Sequence, residues 1–110
     1  MQIKNKIETI ETNKILPELK KKYEGKYFKF KNSYGSDTEE SWFIYQRVEK
    51  VNDADICHIT SIQDDKKGRI EFEIDKYYHV NMLQVPITKK EFTDNYKKAL
   101  NKIKSIAEKP

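Results

Sequence analysis

The stretch Gly25-Lys26-Tyr27-Phe28-Lys29-Phe30-Lys31 is where the chain changes its period. Before Gly25 the apolar residues recur every three or four positions, and after it they alternate with polar ones, so a helix is expected to give way to a strand. Going forward, Asn32-Ser33-Tyr34-Gly35-Ser36-Asp37 reads as a turn or loop. Two runs rich in aromatic and β-branched residues follow, Ser41-Trp42-Phe43-Ile44-Tyr45-Gln46-Arg47-Val48 and Asp55-Ile56-Cys57-His58-Ile59-Thr60-Ser61-Ile62, with Asn52-Asp53 as the turn between them. Asp64-Asp65-Lys66-Lys67-Gly68 reads as a hairpin turn. Beyond it, Arg69-Ile70-Glu71-Phe72-Glu73-Ile74-Asp75 alternates cleanly. That places Ile70, Phe72 and Ile74 on a core face and Arg69, Glu71, Glu73 and Asp75 in water. A further strand is expected between Tyr77 and Val85, ended by Pro86.

Going backward from Gly25, residues 1–24 are expected to form a helical segment in two pieces, with Ile3, Ile7 and Ile10 on one stripe and Ile15, Leu16, Leu19 and Tyr23 on another. Pro17 calls for a break near residues 12–16, and Gly25 is the expected stop. The other end carries the strongest local signal. Thr88 and Glu91 have capping-box spacing, Ile87 and Phe92 stand at the positions of a hydrophobic staple, and Phe92, Tyr96, Ala99, Leu100, Ile103 and Ala107 make one stripe. The expected fold is therefore a single α+β domain over residues 1–110. It has a helical segment over 1–24, an antiparallel sheet of four or five strands over 25–86, strongly twisted or curled into a small SH3-like open barrel, and a C-terminal helix over 88–107.

Composition fits a thin, aromatic core. Hydrophobic and charged residues each make up 36% of the 110, below and above the usual globular shares, and seven Tyr, five Phe and one Trp supply large apolar bodies. The net charge of +4 hides a segregation: residues 1–31 hold nine Lys and four Glu, residues 86–110 seven Lys and three acids, and residues 32–85 six bases and eleven acids. Both ends are basic and the middle is acidic. The single cysteine, Cys57, excludes an intramolecular disulfide, and the sequence has neither a signal-peptide run nor a stretch of ~20 apolar residues. A cytoplasmic protein outside the membrane, with no cofactor, is the expectation.

Four patterns bear on chemistry. His58-Ile59-Thr60 has the His-x-Thr form of the two-histidine phosphoesterases, but its second copy, His79-Val80-Asn81, has Asn in the hydroxyl position and follows too closely. Asp53-x-Asp55 and Asp64-Asp65 cluster carboxylates as a divalent cation requires, yet both lie in turns, where Asp bonds the local backbone, so no metal site is assigned. Lys26, Tyr27, Lys29 and Lys31 interleave cations with one exposed ring, Tyr27 facing the same way as Lys29 and Lys31, a pattern suited to a nucleic-acid backbone and its bases. Glu71, Glu73 and Asp75 should project from one face at ~6–7 Å intervals, close to phosphate spacing. With Asp64 and Asp65 they form the acidic surface expected to meet a basic groove on another protein.

The runs Gly25-Lys26-Tyr27-Phe28-Lys29-Phe30-Lys31-Asn32-Ser33-Tyr34-Gly35, Trp42-x-x-Tyr45 and Ile87-Thr88-Lys89-Lys90-Glu91-Phe92 resemble short accessory proteins of phages and mobile elements of low-GC Gram-positive bacteria. The resemblance implies a stoichiometric binder rather than an enzyme. Such proteins include inhibitors of host defence, anti-CRISPR proteins among them, so the implied partner is a host nuclease or other nucleic-acid-handling defence effector. It carries over no functional residue. A small DNA- or RNA-binding module using Lys26, Tyr27, Lys29 and Lys31 is the alternative expectation.

Overall fold

A computed structural model describes residues 16–33, 40–52 and 56–109. The stripe of Ile3, Ile7 and Ile10, the loop over 34–37, and Asp53 and Asp55 lie outside them. Helix α1 occupies residues 16–23 and ends as expected at Gly25, whose φ of +72° favours glycine. The Gly25 N–H donates to the Val48 carbonyl at 2.9 Å, and the Val48 N–H donates to Lys26 at 2.9 Å, which fixes the helix end to the sheet.

The sheet has five antiparallel strands: β1 (Tyr27–Ser33), β2 (Ser41–Val51), β3 (Ile56–Asp64), β4 (Ile70–His79) and β5 (Val85–Ile87). Their order is β4-β3-β2-β1-β5, so the first four form a meander and the fifth returns beside the first. The sheet is open, since β4 and β5 are its two edges. It is also curled, by an argument from chain length. Four strand spacings amount to ~19 Å, a span that the short link from His79 to Val85 matches only when fully extended. Three of its residues, Val80–Met82, are wound into a 3-10 turn, so the two edges must approach each other at that end. The molecule is thus the expected α+β domain with a helix at each end.

Each sheet face has its own apolar cluster. On the α1 face, Phe28, Val48, Val51, Cys57, Ile59 and Leu83 pack with Leu16, Leu19 and Tyr23. Gln46 is fully buried there; its Nε2 donates to the Met82 carbonyl at 3.4 Å, and its Oε1 has no partner among the described residues. On the opposite face lies α2 (Lys89–Ala107), with Phe92 and Ala99 packed with Ile62, Tyr27, Tyr45, Ile70 and Ile87. The Thr88 hydroxyl caps the helix by accepting from the Glu91 N–H at 3.1 Å. The Glu91 carboxylate turns instead to Lys29, at 3.0 Å.

Two expectations change. The extra strand between Tyr77 and Val85 does not exist as such: Tyr77–His79 continues β4, and Pro86 sits inside β5. Continuity comes from a bulge. Register slips between Ile59 and Ser61, and Asp75 adopts φ +59°, a conformation that Asp tolerates better than most residues. Second, Ile70, Phe72 and Ile74 do not form a buried file, for Phe72 is 37% and Ile74 is 82% exposed. The cause is the path of α2, whose Tyr96 meets Phe72 ring to ring at 5.5 Å, while Ile74 lies beyond the covered area.

Candidate functional site

The register divides the α2 face into a covered half and an open half. Tyr27, Tyr45, Ile62 and Ile70 lie under the helix. Further along the same face the paired positions are Arg47 with Thr60 on β2 and β3, and Lys50, His58 and Tyr77 across β2, β3 and β4. No helix among the described residues covers this half; His58 is screened only by its strand neighbours, and Ile74 and Tyr77, 65% exposed, stand at the margin on β4.

Two bulges build the open half. In β2 the register shifts between Val48 and Lys50, which frees Glu49 to accept from Thr60 Oγ1 at 3.0 Å and from Arg47 Nε at 2.6 Å. In β4 the bulged Asp75 places Oδ1 2.6 Å from His58 Nδ1, and the His58 ring meets Tyr77 edge-on at 4.3 Å. Each bulge thus sends a carboxylate onto β3. The polar groups are held by one another, and the apolar residues beside them remain open, the combination of anchored polar frame and exposed anchor found in protein interfaces.

The acidic residues singled out from the sequence do not form one file. Glu71 pairs with Gln63 and Glu73 with Ser61, on the α1 face, whereas Asp75 is turned by its bulge to His58 on the α2 face. Each also has a local partner: Glu71 meets Arg69 at 2.7 Å, and Glu73 meets Lys76 at 2.8 Å, which raises the lysine above its ordinary pKa. Asp64 and Asp65 shape the hairpin, accepting from the backbone N–H groups of Lys66 and Lys67, both at 2.8 Å. Burial pushes the Asp64 carboxyl up, but hydrogen bonds from the Lys102 ammonium and the Lys66 N–H outweigh it and hold it below the usual carboxylate value.

The basic residues are divided as well. Tyr27 is half-buried with its ring against Phe92 at 5.3 Å, and Lys29 is tied to Glu91 and lies over the Phe43 ring at 4.5 Å. Lys26 and Lys31 remain exposed. The expected row of three cations around an exposed ring is therefore not assembled, because α2 lands on that side of β1. Of the His-x-Thr pair, His58 faces Asp75 and the Thr60 hydroxyl donates to Glu49.

Ile74 and Tyr77 were not singled out as site residues. The sequence carries no signal that separates them, since Tyr77 and Tyr78 are adjacent aromatics and Tyr78 continues the parity of Ile70, Phe72 and Ile74; the bulge at Asp75 is what puts Tyr77 on their face. Against known protein families, curated proteins and solved structures the chain has no significant match, so the site is read from its own residues.

Proposed function

We propose that this chain is a non-enzymatic binding protein that occupies a surface of another protein, using β4 and the open half of the α2 face. The observation that supports this reading is the contrast between its two sheet edges. β5 is three residues long with Pro86 at its centre, a short edge that cannot present a full row of donors. β4 is ten residues long, pairs on one side only among the described residues, and carries Phe72, Ile74 and Tyr77 exposed along with Glu71, Glu73 and Asp75. A long edge with exposed apolar side chains is a template for strand addition by a partner.

The proposed partner is a basic host protein that handles nucleic acid, of the defence-effector kind. Exposed ion pairs such as Glu71–Arg69 contribute only ~0–1 kcal/mol, so these carboxylates can exchange an internal cation for one on a partner at little cost. The test begins with affinity capture from host lysate and continues with titration of the purified captured protein. Ile74→Lys should weaken binding about tenfold or more, in the manner of a lost anchor, and leave the melting temperature unchanged because Ile74 is already in solvent. Glu71→Lys with Glu73→Lys should slow association. Unchanged affinity in Ile74→Lys would reject β4 as the binding surface.

A further inference from the structure

The opposite edge of the sheet holds a groove of about 450 Å³ between the end of α1, the start of α2, β1 and β5. Its floor is apolar, made by Tyr23, Phe28, Pro86 and Ile87. Its rim carries three exposed lysines from three separate places: Lys22 in α1, Lys26 in the link to β1, and Lys89 at the first turn of α2. No carboxylate lines it among the described residues. The acids nearest in sequence are engaged elsewhere, Glu24 with the Val51 N–H at 2.9 Å and Glu91 with Lys29. The N-terminus of a 19-residue helix opens at the same rim and adds to the positive potential. The larger cavity beside the second half of α2, about 650 Å³, differs in that a carboxylate lines it: Asp64 meets Lys102 there, next to Lys66 and Lys98.

We infer that this groove binds an acidic segment of a partner protein, its carboxylates on the three lysines and one aliphatic or aromatic side chain on the apolar floor. Volume and lining suit one or two side chains, and the unmatched rim sets the sign of the charge. A nucleic-acid strand fits less well, because the two tyrosines are already engaged: Lys22 lies over the Tyr23 ring at 5.2 Å, Tyr23 leans on Phe28 at 5.7 Å, and Tyr27 leans on Phe92. Stacking needs a free ring face. The site is on the edge away from β4, so it stands or falls independently of the function proposed above.

The experiment is an NMR titration of the full, ¹⁵N-labelled chain with three probes of equal charge. They are the capped peptide Glu-Asp-Glu-Leu-Phe-Asp-Glu, the same peptide with Ser-Gly in place of Leu-Phe, and an oligothymidylate. The Leu-Phe peptide should shift the amides of Gly25, Lys26, Ile87 and Lys89 saturably and bind about tenfold tighter than the Ser-Gly peptide. Lys26→Gln with Lys89→Gln should weaken it about tenfold, with the unshifted part of the spectrum reporting an intact fold. Equal binding of the two peptides, absence of saturable shifts, shifts confined to other residues, or tighter binding of the oligothymidylate at these amides would each overturn the inference.

Discussion

Asp75 decides where β4 goes. Its left-handed backbone absorbs the extra residue, and its carboxylate ties the bulge to His58. A residue with a Cβ but no side-chain bond should be costly there. Asp75→Ala is expected to lower stability by ~1–2 kcal/mol, the usual cost of the left-handed region, while Asp75→Gly loses the His58 bond but is relieved of the strain and should cost less. Urea denaturation of the two variants measures the difference, and equal losses would assign the whole effect to His58. Cys57 gives a second test. Burial lifts its thiol to about 11, so the native protein should be inert to thiol reagents near pH 8 and react only on unfolding. With the native value above the unfolded value of 9.0, stability is unaffected below pH 9 and falls as pH rises from there towards about 11.

Among the elements, α2 exerts the widest control, because its path separates covered from open sheet. Asp64 anchors its second half by meeting Lys102 across the hairpin. The depressed Asp64 carboxyl contributes stability above the unfolded value near 4 and loses it as pH falls through the lower native value. Asp64→Asn should flatten that acid limb, cost no more than ~1 kcal/mol because the pair is partly exposed, and speed hydrogen exchange in residues 100–107. Unchanged exchange would show that the pair does not hold the helix.

The helix itself was readable from Thr88, Ile87 and Phe92, and α1's end from Gly25, since caps and stops act within a few residues. Parity correctly assigned Tyr27, Lys29 and Lys31 to one side of β1 and Phe28 to the other. It carries no record of what covers a side, so Tyr27 was expected in water and lies under α2, while Ile74 was expected in the core and lies in water. The acidic file failed for a different reason: a single left-handed residue reverses the alternation on which it rested.

At the scale of the whole molecule, the charge segregation becomes spatial. The basic ends of the chain meet at one edge, where the end of α1 and the start of α2 frame the lysine-rimmed groove. The acidic middle supplies β4 at the other edge. The protein therefore presents two chemically opposite contact regions, and the curl that brings the chain from β4 back to β5 places them around a common end.

Pro86 has a bearing on what happens when many copies are crowded together. Fibre growth by strand addition requires two receptive sides per subunit, one to join and one to be joined. With a three-residue strand interrupted by proline on one side, and only Phe30–Ser33 of β1 left unpaired beside it among the described residues, this sheet offers one long receptive side and one short, broken one. Two copies meeting along β4 would consume the long one and stop as a closed pair, so an unguarded strand can be kept for a partner without seeding an endless ribbon.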